Sequence, residues 1–283
     1  MRTSGRVSRL ARVQSSRRFL LGLAATAAAA CRAAPEVRDP AEGRVIVACG
    51  RTFYAGVPVV SWMEPDDPGK ARHQPGRKER GEGGRVFVEA ESGDVERLRE
   101  VVDQLVLHYD AAGSSRRCLE ILKERGLSVH FLVDVDGTIY QALDLRDQAW
   151  HATIANARSI GVEIANLGAY PPGSPEIAKA GAKLRGEAQG RELEQPAFTR
   201  AQYESLAKLA AALCAIFPRI ELDAPRGADG RVRTSVIAEE EWSSYRGILG
   251  HLHVQANKSD PGPAFDWERL LLAARTILAE GAP

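Results

Sequence analysis

From about residue 95 onward, short apolar runs with a two-residue repeat alternate with longer runs of helical spacing. A chain patterned this way must bury strand faces under helices. Ser159 to Ile164 is the sharpest case. As a strand it sends Ile160, Val162 and Ile164 to one face and Gly161 and Glu163 to the other. Leu105-Val106-Leu107-His108 is a second strand, and residues 247–251 are a third. Val129, Phe131, Val133 and Val135 alternate with His130, Leu132 and Asp134, and Asp136-Gly137 is a hairpin signal leading into a return strand over 138–142. Helices are punctuated clearly. Ser114 or Ser115 caps one that runs to about Arg125, with Cys118, Ile121 and Leu122 on one side and Gly126 as its stop. Thr199 and Gln202 form a capping box opening a long helix to about Phe217, which Pro218 ends. Residues 266–279 make the last one. The expected fold class is α/β (α+β), a mixed central β-sheet flanked by helices.

The first thirty residues are of another kind. They hold six of the 38 basic residues and no acid, so the rest of the chain has 32 basic against 37 acidic residues, a net charge of −5. An acidic body lacks the electrostatic footprint of a nucleic-acid binder, and that partner class is set aside. The Arg-rich start precedes an apolar run, Phe19 to Ala30, too short to span a bilayer as a helix, which is the layout of an export signal. Ser16-Arg17-Arg18-Phe19-Leu20 resembles a twin-arginine signal. The run ends on Cys31, as at a bacterial lipoprotein cleavage site, so Cys31 is expected to become a lipidated first residue that anchors the protein to a membrane. The plainer alternative is a signal peptide cut near Ala30. Either way the expected location is the cell envelope. Cys49, Cys118 and Cys214 then form an odd set without a Cys-x-x-Cys pair, and Cys118 and Cys214 are expected as buried packing residues.

The expected organisation is a signal peptide over 1–30, a tether over 31–43, a small N-terminal extension and linker over 44–95, and a catalytic domain over 96–283. Apolar runs between 44 and 63 suggest two or three short strands, whereas 64–84 hold Pro, Gly, Lys, Arg and Glu with almost no large apolar residue.

The chemistry-bearing residues gather late. Gly250-His251-Leu252-His253-Val254 precedes Lys258-Ser259-Asp260-Pro261-Gly262-Pro263, so an imidazole, an ammonium and a carboxylate lie close together on a segment that Pro and Gly keep from becoming a helix. His108 ends an apolar run far upstream. Two imidazoles and one carboxylate are the inventory of a catalytic zinc site whose fourth position is left to water. His251 and His253 are two apart, so a strand would point both to one face, and either reaches the metal.

Leu107-His108, Ala149-Trp150-His151-Ala152, Ser159-Ile160-Gly161-Val162-Glu163, Gly250-His251 and Lys258-Ser259-Asp260-Pro261-Gly262-Pro263 fall in an order that resembles the zinc-dependent N-acetylmuramoyl-L-alanine amidases of the AmpD and peptidoglycan-recognition-protein type. The resemblance covers roughly residues 97–280. It implies zinc held by His108, His251 and Asp260, a general acid/base at Glu163, a cationic stabiliser at Lys258, and peptidoglycan or a muropeptide as substrate. It also implies a structural role for His130, and Trp150, His151 and Asn156 are expected on the substrate cleft. Amide hydrolysis needs this set: a water made nucleophilic by zinc, a group to take its proton, and a positive charge for the developing oxyanion. Thr153-Ile154-Ala155-Asn156 stands where the family often has Gly and Ser, and segments 170–198 and 222–243 exceed what a minimal domain needs. Relatives on this fold that bind peptidoglycan without cleaving it typically lack a zinc ligand. This chain keeps all three with Glu163 and Lys258, which favours catalysis over a binding module; a zinc amidase acting on another amide is a further alternative.

Overall fold

The computed structural model describes residues 43–62 and 95–281. The signal peptide, Cys31 and the 64–84 linker lie outside the described residues. Ten strands and six α-helices occur among those described: β1 (Val45–Ala48), β2 (Arg51–Tyr54), β3 (Val59–Ser61), α1 (Val95–Val101), β4 (Gln104–Tyr109), α2 (Ser115–Glu124), β5 (Phe131–Val133), β6 (Ile139–Gln141), β7 (Ser159–Ile164), β8 (Lys183–Ala188), β9 (Arg191–Pro196), α3 (Arg200–Ile216), α4 (Glu239–Ser244), β10 (Gly247–Gly250), α5 (His251–Val254) and α6 (Trp267–Ala279).

Six strands form one sheet in the order β10-β4-β7-β5-β6-β3. The first four run parallel, β5 and β6 are the antiparallel hairpin expected around Asp136-Gly137, and β3 joins parallel to β6. The mixed sheet expected from the sequence is therefore present. Its alternation sorts the two faces. Leu105, Leu107, Ile160, Val162, Ile164 and Ile248 enter the main apolar core with Leu206, Leu209, Ala210 and Leu213 of α3 and Leu270, Leu271 and Ala274 of α6. Small side chains along α3 let that helix approach the sheet closely. On the opposite face Cys118 and Leu122 of α2 cover Leu132, and Val106 and Leu249 pack on Ala152 and Ala155. The helix starts follow local chemistry. The Thr199 hydroxyl accepts from Gln202 N while Gln202 Oε1 accepts from Thr199 N, and Ser114 caps α2. Cys49, Cys118 and Cys214 are buried and joined in no disulfide among the described residues.

Two expectations need correction. Residues 44–62 are no separate extension. Ile46, Ala48 and Phe53 of the β1–β2 hairpin sit in the main core, β3 is an edge strand of the sheet, and the Gln141 amide bonds both Val47 N and Val47 O. The last strand also stops at Gly250, and His251 opens the helical turn α5. A Cβ on Gly250 would lie 2.5 Å from Pro261 Cδ and 3.1 Å from Asp260 O, so the chain following the strand is pressed against the Asp260–Pro261 loop. Leu252 N donates to Asp260 O there, replacing a ladder bond.

Candidate metal centre and cleft

Because β10, β4 and β7 are parallel, their carboxyl ends share one edge of the sheet, where ligand sites of open α/β sheets form. His108 pairs with Glu163 across β4 and β7, and Gly250 pairs with Leu107 across β10 and β4. Paired residues on parallel strands point to the same face. His108 and Glu163 thus emerge side by side on the face away from α3 and α6, and His251 follows at the end of β10.

Asp260 completes the cluster. Its Oδ2 lies 2.7 Å from His108 Nδ1 and 3.1 Å from His251 Nδ1. One ligand atom from each of the three falls within 4.8 Å of the others, and all three residues are buried. Bonds of ~2.0–2.1 Å in a tetrahedral site put ligand atoms ~3.3 Å apart, so the two Asp260 contacts need lengthen by only a few tenths of an ångström to suit zinc. Burial draws the His108 pKa down to about 4, with the hydrogen bond to Asp260 acting against it and the neighbouring His251 and Lys258 adding to it, so the ring is neutral and fit to ligate. Burial opposes charge on Asp260 too, but the ring nitrogens of His108 and His251 outweigh it and keep the carboxyl ionised.

The helical turn separates the two histidines. Two residues at ~100° each separate His251 and His253 by more than half a turn. His253 faces away from the cluster, where Nδ1 accepts from Gly250 N at 2.9 Å and Nε2 donates to Arg233 O at 2.7 Å. His130 is likewise satisfied: Nε2 bonds Asp147 O and Nδ1 accepts from Gly161 N.

An open cleft of about 330 Å³ lies over the cluster, with Asp110, Cys118, Arg125, Trp150, Glu163 and Lys258 on its walls. Glu163 Oε2 is enclosed and has no hydrogen-bond partner. Its pKa is raised well above the usual carboxylate range, first by burial and then by the charges of Asp260 and Asp110, against Lys258 and Arg125. Trp150 lies on the cleft as expected. His151 borders the cleft too, but both ring nitrogens are engaged within the protein, Nδ1 with His108 Nε2 at 2.9 Å and Nε2 with Ser159 Oγ at 3.2 Å. Its ring occupies the space beside Glu163 that Gly161 leaves: a Cβ on Gly161 would come within 2.7 Å of it. Asn156, expected on the cleft, is buried, and its Oδ1 accepts from His151 N and Ala152 N. It braces the loop because a side-chain amide satisfies two backbone donors that a tight 3-10 turn leaves open.

Several residues that hold the site carry no sequence signal. Gln195 is fully buried; its Nε2 donates to Pro261 O and its Oε1 accepts from Ala264 N. Gln189 Nε2 reaches Leu252 O, Gln255 O and Lys258 O. The β8–β9 hairpin, part of the long 170–198 segment, is therefore a clamp on the loop that carries His251, Lys258 and Asp260. Asp110, one residue past Tyr109 in β4, also escaped notice. Its Oδ1 accepts from the backbone N–H of Ala112, Gly113 and Asn166, whereas Oδ2 is buried without a partner.

Residues 98–263 match the N-acetylmuramoyl-L-alanine amidase family model. The 1,6-anhydro-N-acetylmuramyl-L-alanine amidase AmpD of Haemophilus influenzae is 31% identical over 150 residues, 53% of this chain and 59% of that protein. AmpD of Salmonella typhimurium is 30% identical over 144 residues, 50% of this chain and 54% of its own length. The chain thus spans little more than half the length of the curated relatives it matches. Among solved structures, the N-acetylmuramyl-L-alanine amidase AmiD of E. coli aligns at 23% identity with a TM-score of 0.40, over 61% of this chain and 57% of that one.

Proposed function

Because the chain belongs to the N-acetylmuramoyl-L-alanine amidase family, we propose that it hydrolyses the amide joining the lactyl group of N-acetylmuramic acid to L-alanine, in peptidoglycan or muropeptides. The observation that carries this reading is the buried His108–His251–Asp260 cluster with the unpaired Glu163 carboxyl in register beside it, under an open cleft. His108, His251 and Asp260 would hold zinc, which in such sites lowers the pKa of water to about 7 and polarises a carbonyl.

The chain's own residues supply the rest. Glu163 takes a proton as water adds to the amide carbon, and returns it to the departing alanine nitrogen as the C–N bond breaks. A carboxyl that burial and two neighbouring acids make basic is suited to both transfers. Lys258, on the cleft wall, stabilises the negative charge that grows on the carbonyl oxygen. Trp150 offers an apolar wall for the substrate.

The test is to incubate the purified protein with purified peptidoglycan, with and without a zinc chelator, and to identify products by mass. Chelator-sensitive release of peptides beginning with L-alanine is expected; peptidoglycan binding without release would make the protein a recognition module. We also propose export to the bacterial envelope with removal of residues 1–30 and lipidation of Cys31, on the Arg-rich start, the short apolar run and the cysteine that follows it. Wild type should fractionate with membranes and Cys31→Ala should not; a soluble wild-type protein beginning elsewhere would end that reading.

A further inference from the structure

The tip of the β8–β9 hairpin carries a residue that the turn itself disfavours. Ala188 pairs with Arg191, so Gln189 and Gly190 form a two-residue turn, and both have positive φ, +54° and +69°. Such turns select Asn, Asp or Gly. A long side chain there is strained by its own backbone, and strain of this kind persists only where other contacts over-determine it.

The contacts that hold Gln189 are specific. Its Nε2 lies 2.7 Å from Leu252 O, 3.1 Å from Lys258 O and 3.2 Å from Gln255 O, and its Oε1 accepts from Val236 N at 3.2 Å. Carbonyl oxygens only accept and a backbone N–H only donates, so the amide has a single orientation. The Gln189 N–H donates to Thr234 O at 2.8 Å. The 233–237 strap is also fixed from α5, because Arg233 O accepts from His253 Nε2 and Ile237 N donates to His253 O. Gln189 therefore joins the hairpin tip, the strap and the 252–258 loop.

Lys258 is where these bonds bear on the cleft. Its N–H donates to Gln255 O at 3.1 Å, and Gln189 bonds the carbonyls of both Gln255 and Lys258. The backbone from which the Lys258 side chain reaches the cleft wall is thus held by an amide 69 residues away in sequence.

We propose that Gln189 is a positioning residue for amide hydrolysis: it endures turn strain to make three carbonyl bonds that set where Lys258 holds its ammonium against the substrate's carbonyl oxygen. This inference rests on the amidase reading above.

Gln189→Gly and Gln189→Asn test it, because both suit a positive-φ turn and neither reaches the three carbonyls, so a loss of function is not a loss of fold. Steady-state hydrolysis of a soluble muramyl peptide by the full zinc-loaded chain should show kcat lower by on the order of 10- to 100-fold, as for a displaced catalytic group. KM should stay within about 2-fold of wild type, since the lost interaction is one made in the transition state. Zinc content should not change. In a Lys258→Met background either substitution should alter kcat by less than about 2-fold, because the group it positions is gone. In zinc-free protein, amide hydrogen exchange over residues 252–260 should be on the order of 10-fold faster in both variants, with exchange in α3 and β7 unchanged. An equal loss of kcat in both backgrounds, loss of zinc together with kcat, or wild-type kcat in the variants overturns the positioning role. A wild type that cleaves no muramyl peptide overturns the amidase reading beneath it, and unchanged exchange over 252–260 overturns the hold on the loop whatever the wild type cleaves.

Discussion

Asp110 provides a test of the cleft's electrostatics that needs no substrate. Burial pushes its pKa from 3.8 up to about 6; three backbone N–H donors act against the rise and the charge of Asp134 adds to it. A carboxyl that is harder to ionise when folded than when unfolded binds more protons in the folded state between those two values. Stability must therefore fall as pH rises through that window. Below 3.8 the penalty vanishes, and above about 6 it is complete. The gap is roughly two pH units, which at about 1.36 kcal/mol each makes the full penalty ~3 kcal/mol. At pH 4.5 only ~1 kcal/mol of it has developed. Asp110→Asn keeps an oxygen for the donors of Ala112, Gly113 and Asn166 and removes the charge. Its amide NH₂ would sit where Oδ2 is buried unpaired, a cost that is the same at either pH. The difference between the two pH values isolates the charge. Urea unfolding of metal-stripped protein should show the substitution more favourable at pH 8 than at pH 4.5 by ~2 kcal/mol, with the m-value unchanged. A difference below ~0.5 kcal/mol, or one of opposite sign, would refute the claim that burial dominates at Asp110.

Other substitutions separate chemistry from scaffold. Glu163→Gln keeps the shape but cannot take up the proton, so turnover should drop by a factor on the order of 10² to 10⁴ at wild-type zinc content; loss of zinc in this variant would make Glu163 a ligand, and near-normal turnover would remove it from the mechanism. Lys258→Met keeps much of the apolar stem and should slow turnover without changing metal content, an expectation that demetallation would contradict. Gln195→Ala strands Pro261 O and Ala264 N in the interior and should lower stability by ~2–4 kcal/mol in denaturant unfolding, whereas a change under ~0.5 kcal/mol would mean the hairpin does not clamp the loop. Thr153 holds φ +45°, where a β-branched residue is strained by ~1–2 kcal/mol, so Thr153→Gly should stabilise by ~0.5–1 kcal/mol after the unfolded-state entropy of glycine is deducted; a net loss would show the turn is not strained.

What the sequence disclosed depends on whether the interactions involved leave a local trace. The strand Ser159–Ile164 was legible to the residue because large apolar side chains alternate strictly with Ser159, Gly161 and Glu163. The capping box at Thr199 was legible because both its partners lie within one turn. The proposed ligands stood out because a histidine at a strand end and an Asp before a Pro-Gly-Pro segment are unusual company. Gln189 and Gln195 were invisible, since a glutamine that bonds backbone carbonyls more than sixty residues away has no periodicity to betray it. The integration of β1 to β3 was missed for the same reason: pairing with β6 and burial of Phe53 are long-range events. At Gly250 the local pattern misled, because the apolar run continues while the approach of Pro261 ends the strand.

The alternation also explains why the site assembles at all. In β4 and β7 the residues bound for the main core alternate with those on the opposite face of the sheet, and His108 faces Glu163 in the ladder. A one-residue slip of either strand exchanges its faces. Slipped that way, β7 would push Glu163 into the layer of Leu206, Leu209 and Leu213 and turn Ile160, Val162 and Ile164 to the face where the His151 ring leaves no room even for a Cβ at Gly161. Burying one uncompensated carboxylate and losing three apolar side chains, each worth ~1.5–3 kcal/mol, makes that register inaccessible. The burial energy of the core thus holds the proposed base beside the proposed ligand, with no contact between the two side chains required to set the register. Substitutions on the core face of β7 should accordingly reach the cleft through strand register, and Ile164→Ser should disturb Glu163 more than its place on the far face of the sheet would suggest.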